Sequence, residues 1–328
     1  MRLTAAQLFI GLVLSLAGLV RAESGPAMTQ CDKPSAGSIS YEDIVAKYAD
    51  PGSRFAVLEG LAGIRVHYKD QGKGPAVLLV HSSAGDLKDW QPWVDVLAED
   101  YRVVRLDLPA FGLTGGVPSG NYSIDRYLML VDSLMDHLGV ERFAMVGASY
   151  GGLVAFRYAG TRTERVTALL LSNSAGIEYG GRRGTTERPR DRSGRPFTPR
   201  LTTEEESRGF LATAINSPEM ITPELVTRKT DYANVVGRDC ESYVAGVLYE
   251  RGNPERVLSH IKAPALVMWG GDSQALSVST AHAFADAMTS SPEVSKIVYE
   301  GAGHFIHIGR PRETAADAKA FFDRHLAP

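Results

Sequence analysis

The residues with the clearest chemical potential in this chain surround Ser149. It lies at the centre of residues 147–151, Gly-Ala-Ser-Tyr-Gly, which are followed directly by Gly152. A strand pattern precedes this segment and a helical pattern follows it. Small residues in that context permit a turn sharp enough to lift a serine hydroxyl out of the edge of a sheet at the head of a helix, whose N–H groups favour a developing negative charge. Ser149 is therefore the candidate nucleophile; the alternative is a glycine-rich turn with an inert serine.

A serine hydroxyl becomes an effective nucleophile only beside a base that accepts its proton. The sequence holds eight histidines, the residue type best suited to that role near neutral pH. A carboxylate beside the imidazole would hold the required tautomer and stabilise the positive charge that forms on the ring. The predicted chemistry is therefore nucleophilic attack by Ser149 with a histidine as base.

Ser149 falls within a regular alternation of strand and helix patterns. The predicted strands are Phe55–Glu59, Ile64–Lys69, Ala76–Val80, Tyr101–Leu108, Arg142–Gly147, Val166–Leu171, Ala265–Trp269 and Lys296–Tyr299. Helical patterns cover Trp90–Glu99, Ser123–Leu138, Leu153–Ala159, Val278–Met288 and Arg312–His325. This alternation predicts an α/β fold with a mostly parallel sheet, opened by an antiparallel hairpin of the first two strands.

The alternation is interrupted once, at residues 176–262. Within this stretch helical spacing returns, for example between Phe210 and Ile215. An insertion at the carboxyl edge of a parallel sheet lies above the place where ligands bind, so we expect an inserted helical lid. The core would then comprise residues 55–175 and 263–328.

The first part of the insertion is rich in Gly, Arg and Pro and predicts a long exposed loop. A clamp for an anionic substrate is one interpretation of its arginines. A solvated loop is the other, because Gly and Pro interleave with the charges and two acidic residues partly offset them. The arginines are Arg182, Arg183, Arg188, Arg190, Arg192, Arg195 and Arg200.

The composition is that of a folded globular protein. Of 328 residues, 44% are hydrophobic and 22% charged, and the formal net charge is −3. These values exclude a disordered chain and a disulfide-stapled miniprotein. A near-neutral charge gives no electrostatic surface for nucleic acid, so we expect a small-molecule substrate. The sequence shows no metal-binding motif and suggests no cofactor, and it leaves the oligomeric state open.

The amino terminus resembles a secretory signal. Arg2 is followed by an apolar run at residues 8–20 and by a small residue, Ala22. The alternative is an uncleaved membrane anchor, but the run is shorter than the roughly 20 residues of a spanning helix. We therefore predict cleavage after Ala22, a secreted or periplasmic protein, and no stable membrane insertion after signal removal. Residues 23–54 would form an amino-terminal extension.

Two cysteines bear on this localisation. In an oxidising compartment Cys31 and Cys240 are able to pair and tie the amino-terminal extension to the body of the protein. Two unpaired thiols remain the alternative.

At this point the sequence resembles the α/β-hydrolase superfamily, most closely its lid-bearing serine hydrolases of the esterase and carbon–carbon hydrolase type. Four segments carry the resemblance: residues 80–85 (Val-His-Ser-Ser-Ala-Gly), residues 107–112 (Asp-Leu-Pro-Ala-Phe-Gly), the turn at Ser149, and residues 301–305 (Gly-Ala-Gly-His-Phe). Their order and spacing match the family as a set. The resemblance implies an eight-stranded, mostly parallel sheet with helices on both faces and an inserted lid.

The resemblance also implies the partners of Ser149. It places the base at His304, with His307 as the local competitor. The third member would be Asp272, which follows a predicted strand and gives the order Ser, Asp, His. The family usually has this carboxylate one residue later, at Ser273, so a one-residue deletion is needed to align Asp272. The other family position for the carboxylate holds Asn173, and the alternative role for Asp272 is capping of its own loop.

Two backbone N–H groups are expected to form an oxyanion hole. Tyr150, directly after the nucleophile, would supply one, and the resemblance places the other at Ser83. The family usually has His-Gly at the positions of His81 and Ser82, so the Ser82 hydroxyl is an additional candidate donor. His81 itself is expected to be structural, with hydrogen bonds beneath this loop.

The sequence as a whole predicts an exported serine hydrolase that cleaves a carboxylic ester or related acyl bond through an acyl-enzyme. Hydrolysis of a carbon–carbon bond in a vinylogous diketone uses the same residues and is the first alternative. A non-catalytic small-molecule binding protein on this fold is the second, because a fold does not by itself imply a function.

Overall fold

The protein is described by a computed structural model over residues 37–58, 61, 63–117, 121–177, 201–238, 241 and 253–326. One sheet of eight strands has the order β1-β2-β4-β3-β5-β6-β7-β8. β1 and β2 are antiparallel, as are β2 and β4, whereas all other neighbouring strands are parallel. The strands are β1 (Arg54–Val57), β2 (Arg65–Gln71), β3 (Ala76–Val80), β4 (Arg102–Leu106), β5 (Phe143–Ala148), β6 (Val166–Ser172), β7 (Ala265–Gly270) and β8 (Val294–Tyr299). The predicted sheet and its opening hairpin are confirmed.

Helices cover both faces of this sheet, as predicted. They are α1 (Tyr41–Tyr48), α2 (Gln91–Leu97), α3 (Ile124–His137), α4 (Tyr150–Thr161), α5 (Glu204–Ile215), α6 (Pro223–Ala233), α7 (Pro254–Leu258), α8 (Val278–Ala287), α9 (Ile306–Gly309) and α10 (Pro311–His325). Successive side chains of a strand point to opposite faces. In β3, Leu78 and Val80 therefore join the core that contains α3, α4 and α8, whereas Val77 and Leu79 join the core of α2 and α10.

Helices α5 and α6, here called the insert helices, connect β6 to β7 through a region that was predicted to be a lid. Local sequence explains their ends: Thr203 and Glu206 form a capping box at the start of α5, and Thr222 caps α6 with Pro223 at its first position. Leu211 and Val226 from the two helices pack with Phe305 and Ile308 of the core. The insert helices therefore lie against the chain that follows β8.

Several sequence predictions fall outside the described residues. These are the signal peptide, Cys31, Cys240 and the arginine-rich loop at 182–200. Within the part of the chain that is described, no helix is long and apolar enough to cross a bilayer.

A buried cluster of four charges fastens α6 to the core. Arg228 lies 2.7 Å from Asp89, and the Lys229 ammonium lies 2.7 Å from Asp86 and 2.6 Å from Asp89. Burial alone would raise the pKa of Asp86, but Arg228 and Lys229 lower it below its usual range. Because the folded-state pKa is depressed, this pairing stabilises the fold above about pH 4 and is lost as the pH falls through the lower folded value.

Helix α1 also contacts α6. Asp231 accepts hydrogen bonds from Lys47 at 2.6 Å and from the Tyr48 hydroxyl at 2.5 Å. Ile44 of α1 is fully buried in a small apolar cluster that includes Tyr232. The described part of the amino-terminal extension therefore holds α6 in place rather than projecting from the fold.

We expect Lys229→Met to lower the free energy of unfolding by about 3 kcal/mol, because it leaves a buried carboxylate without its counter-charge. Urea unfolding at pH 7 measures the change. The matched control is Lys262→Met, since Lys262 pairs at 3.7 Å with Glu164 and both side chains are mostly exposed. The control should change stability by less than about 1 kcal/mol. Equal effects of the two substitutions would contradict the importance of the buried cluster.

Candidate active site

Ser149 occupies a strained turn between β5 and α4. Its backbone has φ 51° and ψ −113°, an unusual conformation for a residue with a side chain. Two hydrogen bonds hold this turn: the Ser149 N–H donates to the Ser172 carbonyl, and the Ala175 N–H donates to the Ser149 carbonyl, both at 2.9 Å. The turn ends β5 and starts α4 without a loop, which places the Ser149 side chain at the amino end of the helix.

Glycine is required on both sides of Ser149 because other backbone segments come very close. A Cβ atom on Gly147 would lie 2.2 Å from the Gly151 carbonyl oxygen. A Cβ on Gly151 would lie 2.4 Å from the Val80 carbonyl oxygen in β3. Real Cβ atoms do not approach backbone oxygen so closely, so the turn fits against β3 only without these side chains.

The structure brings His304 to Ser149, as predicted. His304 Nε2 lies 2.9 Å from Ser149 Oγ, although the two residues are 155 positions apart. Both side chains are largely buried, and burial lowers the pKa of His304 to about 4. The imidazole is therefore neutral at pH 7 and able to accept the serine proton.

The insert helix α5 packs directly on the loop that carries His304. The Phe305 N–H donates to the Ala214 carbonyl of α5 at 2.8 Å. The ring of Phe305 also meets that of Phe210, with centroids 5.9 Å apart. The position of His304 therefore depends on the insert helices as well as on the sheet.

The structure differs from the sequence prediction for Asp272. The Asp272 side chain is exposed and makes no hydrogen bond with His304. Its backbone N–H donates to Ala302, and a turn from Gly270 directs the next residue inward. Ser273 Oγ consequently lies 3.1 Å from His304 Nδ1, the place expected for a carboxylate. The family pattern places its carboxylate at the position of Ser273. Asp272 was predicted instead because it is the adjacent residue with a charged side chain.

Two other candidate side chains have structural roles. His307, the local competitor of His304, is fully buried and stacks on Trp90 with ring centroids 4.4 Å apart. Burial lowers the pKa of His307 to about 3. Asn173, at the alternative carboxylate position, accepts a hydrogen bond from the Gly270 N–H at 3.1 Å and so holds the end of β7. Across the described ranges, no three His, Cys, Asp or Glu side chains are grouped as a metal site.

The loop after β3 is organised by His81, as expected. The Leu108 N–H donates to His81 Nε2 at 2.9 Å, so the ring proton is on Nδ1 and donates to the Ser82 carbonyl at 2.7 Å. The Ser82 side chain is buried by this arrangement, whereas Ser83 is exposed. Tyr150 is the first residue of α4. The roles of Ser83 and Tyr150 as oxyanion donors remain predictions.

Another serine-histidine contact, with a carboxylate on the same imidazole, is centred on His67 of β2. Ser53 Oγ lies 2.9 Å from His67 Nε2, and His67 Nδ1 lies 2.7 Å from Asp107. Here the serine accepts the Asp50 N–H in a tight turn, and Asp107 also accepts the Leu113 N–H at 2.7 Å. Sequence reasoning missed this network because its members are far apart and carry no local motif. Ser53 lies before β1 rather than at the head of a helix, so the network serves to tie the turn before β1 and the loop after β4 to β2.

The chain is similar to several known proteins over most of its length. A family model described as alpha/beta hydrolase fold matches residues 75–311. A 2-hydroxy-6-oxononadienedioate/2-hydroxy-6-oxononatrienedioate hydrolase of Paraburkholderia phymatum is 31% identical over 233 residues, which cover 66% of this chain and 77% of the relative. An acetyltransferase component of the acetoin cleaving system of Cupriavidus necator is 28% identical over 298 residues, 87% of this chain and 75% of the relative. A solved membrane phospholipase A, described as a bacterial virulence factor, superposes with a TM-score of 0.70 at 25% identity, covering 84% of this chain and 87% of that one.

We expect Gly147→Ala to lower the free energy of unfolding by about 2 kcal/mol or more and to displace Ser149, because the new methyl group meets backbone oxygen that has no room to move. Thermal unfolding and the rate of labelling by a fluorophosphonate probe measure both effects. Gly209→Ala is the matched control, since nothing lies within 4 Å of a Cβ at this helical position. It should be neutral or stabilising by up to about 1 kcal/mol. Unchanged stability and labelling in Gly147→Ala would contradict the close packing of the turn.

Proposed function

Because the chain belongs to the α/β-hydrolase fold family, we propose that it is a serine hydrolase that cleaves a carboxylic ester or related acyl bond through an acyl-enzyme. The observation that carries the proposal is the 2.9 Å contact between Ser149 Oγ and His304 Nε2 on a strained turn at the head of α4. A serine in this position has both a base for its proton and a helix amino terminus beside it.

In the first half of the proposed reaction, Ser149 Oγ attacks the substrate carbonyl carbon while its proton passes to His304 Nε2. The carbonyl oxygen takes the negative charge and accepts hydrogen bonds from the N–H groups of Tyr150 and Ser83. The bond to the leaving oxygen then breaks as His304 returns the proton to that oxygen. An alcohol departs, and the acyl group stays on Ser149.

In the second half, a water molecule repeats the attack. Its proton passes to His304 while its oxygen bonds to the acyl carbon, and the bond to Ser149 Oγ breaks as His304 gives the proton back to Ser149. A carboxylic acid leaves, and the enzyme returns to its starting state. The low pKa of His304 supports this cycle because the ring is unprotonated at the start of each half-reaction.

The proposal extends to the insert and to the location of the protein. In this reading the insert helices act as the lid over Ser149, which is supported by the hydrogen bond from Phe305 to Ala214 beside the base. The apolar run at residues 8–20, followed by Ala22, supports export with cleavage after Ala22.

Hydrolysis of a carbon–carbon bond is a second candidate for the same site. It is favoured by the relative from Paraburkholderia phymatum, which is named as a hydrolase of a 2-hydroxy-6-oxo dienedioate. The ester reading is favoured in turn by the likeness to a phospholipase A. Both reactions use a serine and a histidine, so the substrate alone separates them.

We expect Ser149→Ala to lower kcat for a short p-nitrophenyl ester by at least about 10³-fold, because the acyl acceptor is removed. The fold should be retained, as checked by circular dichroism. Ser53→Ala is the matched control: it removes the serine that contacts His67, and it should retain turnover within about twofold. Mass spectrometry after fluorophosphonate treatment should locate the label on Ser149. Full turnover by Ser149→Ala, or fluorophosphonate label on a different serine, would rule out Ser149 as the nucleophile.

We further expect the wild-type chain to hydrolyse simple esters faster than vinylogous diketones by about tenfold or more in kcat/KM. The measurement is product identification by mass spectrometry with matched acyl groups in the two substrate classes. Cleavage of the diketone at the higher rate would select carbon–carbon hydrolysis as the function while leaving the role of Ser149 intact.

A further inference from the structure

We propose that Ser273 is the positioning residue for His304, so that the site works with the arrangement Ser149–His304–Ser273 and without a carboxylate on the base. This inference rests on the proposed function, which makes His304 the base. Ser273 Oγ lies 3.1 Å from Nδ1 of the ring, and Ser149 Oγ lies 2.9 Å from Nε2. Each ring nitrogen therefore contacts one serine, which fixes the plane of the ring.

The loop after β7 holds the Ser273 hydroxyl in this place. The Ser273 N–H donates to the Gly270 carbonyl at 3.3 Å, which closes a tight turn. The Leu276 N–H donates to Ser273 Oγ, also at 3.3 Å. The same turn leaves Asp272 exposed, with its backbone N–H on Ala302. Ser273 is thus oriented by its own loop, independently of the contact with His304.

A hydroxyl differs from a carboxylate in how it controls the tautomer of the ring. When Nε2 accepts the Ser149 proton, the ring proton is on Nδ1 and must be donated to the partner. An ionised carboxylate only accepts, so it selects this tautomer. Ser273 Oγ already accepts the Leu276 N–H, and it is able either to accept from Nδ1 or to donate to it. Ser273 therefore orients His304 but allows a second, unproductive tautomer.

The other titratable groups around His304 supply no compensating charge. Asp272 on the β7 loop is exposed, and no carboxylate in the described ranges forms a hydrogen bond or ion pair with His304. His307 on α9 is kept neutral by burial, which lowers its pKa to about 3. Burial likewise lowers the pKa of His81, and α5 meets the loop through the Ala214 carbonyl. The imidazolium that forms during the reaction therefore relies on hydrogen bonds alone.

The test begins with three substitutions of Ser273 in the full chain. Ser273→Ala removes the contact with Nδ1, so kcat should fall by about tenfold with KM unchanged. Ser273→Thr keeps the hydroxyl and should stay within about threefold of the wild type. Ser273→Asp supplies a negative charge, which should move the acid limb of kcat/KM up by about 1–3 pH units and raise kcat at pH 8 by about tenfold. The exposed Ser279→Ala, on α8, is the matched control.

The sign of the shift distinguishes positioning from a merely structural role. The base must be unprotonated, so the wild-type acid limb should lie near the His304 pKa of about 4. A carboxylate at position 273 favours the protonated ring, so the rate of the Asp variant relative to the wild type should be markedly higher at pH 8 than near pH 5. A Ser273 variant whose only defect is lower stability would lose activity at both pH values.

A measurement without turnover separates this inference from the proposed function. Titration of ¹⁵N-labelled histidine by NMR, with His304 assigned through His304→Gln, should show a higher imidazole pKa in Ser273→Asp than in the wild type. That shift is expected even if Ser149→Ala were to retain activity and so refute the function. An unmoved His304 pKa in Ser273→Asp would overturn the inference, as would unchanged kcat in Ser273→Ala.

The remaining alternative is that Asp272, rather than Ser273, supports His304. Asp272→Asn should keep kcat within about twofold, because the side chain is exposed and apart from the ring. A loss of about 10²-fold or more in Asp272→Asn would assign the supporting role to Asp272 and overturn the inference for Ser273.

Discussion

The site depends on the close approach of three backbone segments at the end of β5. Gly147 and Gly151 allow the turn at Ser149 to lie against the Val80 carbonyl in β3. That contact permits the positive φ of Ser149, and the helix that follows is buried over most of its length. A side chain at either glycine would separate β5 from β3 or change the start of α4. The position of the Ser149 hydroxyl is thus a consequence of sheet packing, and the large cores on both faces stabilise it.

Burial has two opposing effects on His304. It keeps the ring neutral at pH 7, which suits a base, and it disfavours the charged form that proton transfer creates. A nearby carboxylate would offset the second effect, but here Ser273 provides a neutral oxygen. The insert helix α5 adds to the burial by packing on Phe305 beside the base. The buried carboxylates Asp86 and Asp89 offer no compensation either, because they are already paired with Arg228 and Lys229 of α6.

Sequence patterns formed by residues close together in the chain predicted the strands and the turn at Ser149 well. The alternation of apolar strands and amphipathic helices gave the eight strands and their faces, and the glycines around Ser149 gave its turn, because each depends on neighbours a few residues away.

The position of Asp272 was not predictable in this way. Whether Asp272 or Ser273 faces His304 is decided by the hydrogen bonds of one turn, to Gly270 and Ala302. A shift of one residue there exchanges the exposed and the inward side chain. The ion pairs of Arg228 and Lys229 were missed for a similar reason, since their partners are about 140 residues away.

Two of the serine-histidine contacts among the described residues illustrate why a triplet of side chains does not by itself define an active site. Ser53, His67 and Asp107 have the residue types and distances of a catalytic triad. Their backbone surroundings are those of a turn before an edge strand, with the serine oxygen and the carboxylate occupied by backbone N–H groups. Ser149 and His304 have no carboxylate partner among the described residues, but Ser149 stands at the head of α4. In the proposed reaction, what separates the two is the helix amino terminus beside Ser149, whose backbone N–H groups would face a developing oxyanion, and that environment is a property of the fold rather than of the triplet.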